Sequence, residues 1–199
     1  IKYNRIISKN NPLRLIKYEE EELSSLKSFN LLTLKPHIYL ANISEEEINS
    51  PNKYVDKLTE YANKENSKVI TVSAKIEAEL AELEDEDKNE MLKELGIEKS
   101  GLDKLIETTY SLLGLKTYFT AGPQEVKAWT YKDGTNAKKC AGIIHTDFEK
   151  GFIKAEVIAY KDLIEAGDEQ KVKEQGKLRL EGKDYIMQDG DICHFRFNL

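Results

Sequence analysis

Tyr118-Phe-Thr-Ala-Gly-Pro-Gln-Glu-Val-Lys-Ala-Trp-Thr-Tyr131, followed by Cys140-Ala-Gly-Ile-Ile-His-Thr-Asp-Phe-Glu-Lys-Gly-Phe-Ile-Lys-Ala-Glu-Val157, sets the order strand, turn, strand, loop, helix, strand. Thr120-Ala-Gly-Pro123 is turn chemistry, with Gly122 free to take positive φ and Pro123 fixing its own φ. A hairpin is predicted to fold back there. Residues 126–131 are β-branched and aromatic, with Lys127, Trp129 and Tyr131 on one face and Val126, Ala128 and Thr130 on the other. Ala137, Cys140, Ala141, Ile144 and Phe148 recur at spacings of three and four, one apolar face of a helix. Two strands and a crossing helix begin a β-grasp sheet.

Downstream, residues 152–160 alternate as a strand, and 160–175 predict one or two short helices with Gly167 between them. The chain is expected to close with a hairpin: residues 184–187, an Asp189-Gly190 turn, then 192–197. Upstream, residues 1–11 show no clear period, and the acidic run Glu19-Glu-Glu-Glu22 is the solvated face of a short helix. His37-Ile-Tyr-Leu-Ala41 reads as a strand covered on both faces. Ser50-Pro51 reads as a helix cap followed by proline at the first helical position. Residues 68–72 form a second strand, parallel to the first because a helix crosses between them. Polar clusters stand at both strand ends, Asn42-Ile-Ser-Glu45 and Ser73-Ala-Lys75, where open α/β sheets carry their ligand sites. Three further helical faces follow, ending at Gly96 and Gly114.

Of 199 residues, 33% are charged and 40% hydrophobic, an ordinary soluble composition. The first residue is Ile1, which predicts a piece of a longer chain or a processed form. Residues 115–199 carry 14 of the 30 basic and 14 of the 36 acidic residues, so the first 114 hold the whole net charge of −6. An acidic N-terminal half does not lead in binding a polyanion, whereas a neutral C-terminal half can present a local basic face. Cys140 and Cys193 lack metal or redox spacing and read as reduced core thiols of a cytoplasmic protein. No apolar run reaches the length of a membrane span, and no internal repeat is visible.

Three segments carry a more specific message: Phe119-Thr-Ala-Gly-Pro-Gln-Glu-Val126, residues 142–157, and Glu181-Gly-Lys-Asp-Tyr-Ile-Met-Gln-Asp-Gly-Asp191. They closely resemble the TGS domain that ends the Obg-like ATPases, the YchF family, and the resemblance runs with few gaps from about Leu31 to Leu199. It implies an α/β fold in two parts: residues 1–114 as the C-terminal part of a P-loop-type G domain with flanking helices, and 115–199 as a β-grasp, ubiquitin-like TGS domain. It also implies an ATP hydrolase, with weak GTP hydrolysis possible, that associates with ribosomes or ribosomal RNA, with neither membrane nor DNA as partner.

In G domains, the strand end corresponding to Ala41 carries Asn-Lys-x-Asp, whose Asp accepts two hydrogen bonds from guanine and whose Lys packs on the base. Here the residues are Asn42, Ile43, Ser44 and Glu45, the family's Asn-x-x-Glu variant. Adenine offers N1 as an acceptor and its amino group as a donor, the reverse of guanine's edge. A carboxylate facing N1 would be repelled, so the Asn42 side chain and the backbone around Ile43 are expected to read the base more than Glu45; the resemblance implies that ATP is preferred over GTP. Ser73 and Ala74 resemble the last base-contacting loop; equally, Ser-Ala-Lys is a plain helix start with Ser73 as its cap.

No Gly-x-x-x-x-Gly-Lys-[Ser/Thr] and no Asp-x-x-Gly occurs, so these residues supply neither a phosphate cradle nor a Mg²⁺ ligand. The resemblance implies that both lie N-terminal to the matched region, and that this chain alone is inactive, with no catalytic residue of its own. His145-Thr-Asp147 is read as a hydrogen-bond cluster at a helix end, and no group has metal-ligand spacing. Lys127, Trp129, Tyr131 and Lys132, with Lys138 and Lys139 close by, pair cations with aromatics as RNA-gripping sheets do. The other reading places Trp129 in the core and the lysines in water. Three functions follow: the ATP-preferring hydrolase, a stand-alone ribosome or RNA adaptor, and, more weakly, a guanine-specific protein.

Overall fold

The structure, a computed structural model, describes residues 11–122 and 125–198. They divide into two compact units at the junction of Leu113 and Gly114. Among the described residues no helix is long and apolar enough to cross a membrane.

In the first unit, α1 (Glu20–Lys27) carries the acidic run on its first turn, which suits the positive end of the helix dipole. Strand β1 (Ile38–Asn42) pairs in parallel with β2 (Lys68–Val72), Asn42 beside Val72, and α2 (Lys53–Lys64) makes the crossover between them. The cap of α2 is Asn52, not Ser50: its Oδ1 accepts from the backbone N–H of Tyr54 at 2.9 Å and of Val55 at 3.3 Å. The Ser50 hydroxyl instead donates to the Glu46 carbonyl in the preceding turn. Nor, among the described residues, is β1 covered on both faces. In-register neighbours of a parallel pair point the same way, so Leu40 shares a face with Ile70. The last helix of the unit lies along that face of β2, through Val72 and a Lys68–Ser111 contact, leaving Leu40 half-exposed.

Helices α3 (Ala74–Ala81) and α4 (Asp85–Glu94) bury Ile76, Leu80 and Leu92 against Ile48, Met91, Leu95 and Ile97. Gly96, at φ +68°, ends this pair in a conformation that strains any side chain. The last helix, α5 (Gly101–Leu113), begins against the end of β2.

The second unit opens with a hairpin, β3 (Leu115–Ala121) and β4 (Val126–Lys132), in which Tyr118 faces Trp129. The predicted turn is closed by the Gly122 N–H on the Glu125 carbonyl; its Pro123 lies outside the described residues. The predicted single helix is two, α6 (Ala137–Ile144) and α7 (Thr146–Lys150), parted at His145, whose Nδ1 accepts from the Asp147 N–H and caps α7. Strand β5 (Phe152–Ala159), helices α8 (Tyr160–Ala166) and α9 (Glu169–Glu174), β6 (Arg179–Glu181) and β7 (Asp191–Phe197) complete it. The sheet order is β4-β3-β7-β5-β6, with β7 parallel to β3 and antiparallel to β5, a β-grasp. Tyr118, Tyr131, Cys140, Val157, Met187 and Phe195 fill the side under α6, and Ile158, Ala166, Val172 and Ile192 the side under α8 and α9.

The closing hairpin does not form. Strand β7 takes the centre of the sheet with both edges occupied, so residues 184–187 have no edge of β7 to pair with. They run past the start of α6 instead, through an isolated bridge of Ile186 to Asn136 and a bond from the Met187 N–H to the Thr135 carbonyl.

Candidate functional site

The carboxyl ends of β1 and β2 come side by side because the strands are parallel and in register, and this joins the two polar clusters. Asn42 Oδ1 accepts the Ala74 N–H at 3.0 Å. That donor fixes the amide's orientation, since an N–H can meet only the oxygen, and the Asn42 NH₂ is left facing away from Ala74. The Ile43 N–H is held by the Val72 carbonyl at 2.8 Å. Ser73 stands at the N-cap of α3, yet its hydroxyl makes no capping bond; at 5% exposure it can offer a ligand little besides backbone. Glu45 opens a short 3₁₀ turn, Glu45–Glu47, where Ser44 and Glu47 form a capping box. The Glu45 carboxylate is paired with the Lys75 ammonium at 2.8 Å, and this contact first of all raises the Lys75 pKa above its ordinary value.

Beneath the corner lies a void of about 30 Å³ lined by Ile43, Ser73, Ile76, Glu77 and Gly101 among others, room for about one water. A planar base would therefore lie on this corner rather than inside it. Its floor is fixed by Glu77, whose carboxylate accepts the N–H groups of Gly101 at 2.6 Å and Leu102 at 3.2 Å and so caps α5. Gly101 permits the approach: a Cβ there would come within 2.5 Å of Val72 Cγ1. Gly101→Ala is expected to destabilise the first unit by about 1–3 kcal/mol through overpacking. Denaturant unfolding followed by circular dichroism checks it, and an unchanged midpoint would mean α5 does not rest on Val72 as described.

The six residues predicted to grip RNA do not share one face. Lys127 lies over the Trp129 ring at 4.2 Å, and Trp129 Nε1 donates to Thr120 Oγ1 at 2.9 Å. Trp129 is partly buried against the core, with its inner side packed and Lys127 over its ring. Tyr131 is a correction. It is 2% exposed, packed beside Tyr118 with ring centroids 5.8 Å apart, and no base can stack on it. The strand's alternation places it under α6, and burial raises its phenol pKa. Lys132 projects to the opposite face of β4. Lys138 and Lys139 sit on the first turn of α6, after the Asn136 cap, where the helix dipole disfavours cations.

Three functional features escaped sequence reading: Lys75 as the partner of Glu45, Glu77 as the cap of α5, and a polar cluster around Asp191. Asp191, 1% exposed, accepts from Arg179 at 3.2 Å, from the Tyr185 hydroxyl at 2.9 Å and from the Gln188 N–H at 2.9 Å. Burial chiefly pushes the Tyr185 phenol up to about 12. Arg179 and Asp191 help line an open cleft of about 690 Å³ with Thr117, Phe119, Tyr160 and Gly190. The only available signal was Asp191 at the start of a strand, and its partners lie 3 to 12 residues away. The buried Cys140 thiol is pushed up to about 12, chiefly by burial, so it is a core group rather than a nucleophile. Among the described residues no group of three His, Cys, Asp or Glu could hold a metal ion.

Parallel strands with joined polar loops at their carboxyl ends, followed by a β-grasp, make an α/β chain of two units. The comparisons place it more narrowly. Residues 115–198 match the family model YchF-GTPase_C, described as a protein of unknown function (DUF933). The "Ribosome-binding ATPase YchF" of Bacillus subtilis is 57% identical over 190 residues, covering 94% of this chain and 52% of that protein. Its namesake in Escherichia coli O157:H7 is 49% identical over 187 residues, covering 94% and 51%. The solved Schizosaccharomyces pombe YchF GTPase superposes with a TM-score of 0.84 at 37% identity, over 98% of this chain and 52% of that one. A GTP-binding protein of Pyrococcus horikoshii shares the fold at a TM-score of 0.59 and 21% identity, over 98% of this chain and 56% of that one. Over 94% of its length the chain is similar to YchF proteins, and it spans about half the length of the curated relatives it matches.

Proposed function

We propose that this chain supplies the purine-binding corner and the ribosome-docking TGS domain of a cytoplasmic, ATP-preferring nucleotide hydrolase. The observation that carries this reading is the bond from the Ala74 N–H to Asn42 Oδ1. It joins the two loops that the resemblance assigns to the base and leaves the Asn42 NH₂ to donate to a purine N7, an acceptor that adenine and guanine share. With the Ala74 N–H already engaged, guanine's O6 acceptor finds no donor there. With Glu45 on Lys75, guanine's N1–H and amino group find no free carboxylate. Both losses fall on guanine and neither on adenine.

Hydrolysis in this reading draws its phosphate cradle and Mg²⁺ ligands from residues outside this chain; by themselves the 199 residues bind a purine weakly and hydrolyse nothing. The names of the relatives, ribosome-binding ATPases, support the ribosome as partner. Lys127 with the outer side of Trp129, and the Lys132, Lys138 and Lys139 ammonium groups, are the RNA contacts we assign to the TGS domain, with Tyr131 withdrawn. The Lys127–Trp129 pair favours the second reading, a stand-alone ribosome or RNA adaptor, as much as the first.

Two substitutions in the longest native polypeptide that carries these residues separate them. Asn42→Ala is expected to weaken ATP binding about 10- to 100-fold, the loss of one or two hydrogen bonds to a bound ligand, while ribosome co-sedimentation persists. Lys127→Glu is expected to weaken co-sedimentation and leave ATP affinity alone. If Asn42→Ala leaves ATP affinity unchanged while Lys127→Glu abolishes ribosome binding, the adaptor reading replaces the first. GTP outcompeting ATP in the unmodified protein would overturn the base preference.

A further inference from the structure

The purine corner is crossed by two links between its loops, and they differ in kind. The Asn42–Ala74 bond joins a side chain to the backbone. The Lys75–Glu45 pair joins two side chains that are 68% and 43% exposed, with Glu79 one helical turn on, 3.9 Å from the same ammonium. A pair so exposed contributes little to folding, so its position at the mouth of the corner calls for another account. We propose that Lys75 is a specificity-positioning residue, which holds the Glu45 carboxylate off the base and thereby turns a corner otherwise suited to guanine into one that takes adenine. This inference rests on the purine-corner reading above.

The chemistry follows from the acceptor-only character of an ionised carboxylate. Freed from Lys75, Glu45 stands three residues beyond Asn42, at the position where a G domain carries its guanine-reading Asp, and can accept from guanine's N1–H and amino group. Against adenine the same carboxylate would face the N1 lone pair with nothing to accept. Bound to Lys75, its charge is compensated and its Oε2 is spent 2.8 Å from the ammonium. Lys75 is itself a residue of α3, with Glu79 3.9 Å from its ammonium, so the pair draws Glu45 toward the helix. Lys75 need not touch the base to act.

The test is equilibrium competition of ATP and of GTP against a fluorescent adenine nucleotide, without turnover, in the longest native polypeptide that carries these residues. Lys75→Met is expected to lower the ratio of ATP to GTP affinity about fivefold or more, mainly by tightening GTP, the discrimination a bidentate pair to a base confers. Lys75→Arg should keep the ratio, and Lys75→Met with Glu45→Gln should restore it, because the competing carboxylate is gone. An unchanged ratio in Lys75→Met, or an equal loss of both affinities from removing a cation near the nucleotide, would overturn the proposal. So would a double variant that stays shifted. Failure of the underlying reading looks different: Asn42→Ala would then leave both affinities untouched.

Discussion

Gly151→Ala is expected to destabilise the second unit by about 3 kcal/mol or more, a large share of a domain's total stability. Gly151 stands between α7 and β5 with φ −90°, a conformation open to any residue, so the argument is one of space. A Cβ there would lie 1.9 Å from the backbone oxygen of Asn198 and 2.8 Å from its carbonyl carbon, while the Asn198 N–H donates to the Gly151 carbonyl at 2.9 Å. Asn198 directly follows β7, whose Phe197 pairs with Phe152 of β5, so its backbone cannot step aside without disturbing that pairing. Gly142→Ala is the control. Its Cβ would meet the Glu149 carboxylate at 2.6 Å, which can swing into solvent, and Glu149 Cβ at 3.1 Å, which has to give only a few tenths of an ångström, so the loss should stay well below that of Gly151→Ala. The chain's single tryptophan, Trp129, lies in this unit, and its fluorescence in a urea titration reads both variants. A Gly151→Ala midpoint matching that of Gly142→Ala would show that Asn198 does not dock there.

Asp191→Ala is expected to destabilise the same unit by about 2–4 kcal/mol, the loss of one buried acceptor that serves three donors. The carboxylate sits on β7 and serves three donors: Arg179, the Tyr185 hydroxyl and the Gln188 N–H. Arg179 is 42% exposed and keeps Glu181 as partner, so water can take up its loss. The Gln188 N–H and the Tyr185 hydroxyl, both part-buried, lose the same acceptor and add to the penalty. Asp191→Asn keeps the shape and one acceptor and should lose less than half as much. Tyr185→Phe alone should cost about 1 kcal/mol, and less than that in the Asp191→Ala background, where only the Arg179 contact to its hydroxyl at 3.0 Å remains. Additive losses in that cycle would dissolve the cluster into separate contacts.

How far the sequence carried depends on the range of each interaction. Strand β4 and its facing residues follow from period-two alternation, and α3, α4 and α5 from apolar spacing with glycines at two of the ends. The motif at Asn42 and its partner loop at Ser73 were legible because the crossover rule brings both strand ends to one edge. The helix cap was misplaced by two residues, since Ser50 and Asn52 are both good caps and only the bond to Tyr54 and Val55 chooses between them. The closing hairpin failed for a larger reason. A tight turn at Asp189-Gly190 is local, whereas the partners of β7 are strands that begin 76 and 39 positions earlier.

Sequence by itself determined most of the helices and strands, the β-grasp order of its opening, the family resemblance and the two loops that flank the candidate base. Periodicity and turn chemistry are properties of neighbours along the chain and survive any packing. Tertiary structure decided which side chains those elements bring together: Tyr131 into the core, Lys127 onto Trp129, Glu77 onto α5 and Lys75 onto Glu45. These contacts span up to 30 residues or depend on which face of an element meets its neighbour. Each is worth too little to leave a mark on local sequence preference, and it exists only once the backbone has set two distant positions within a few ångströms of each other.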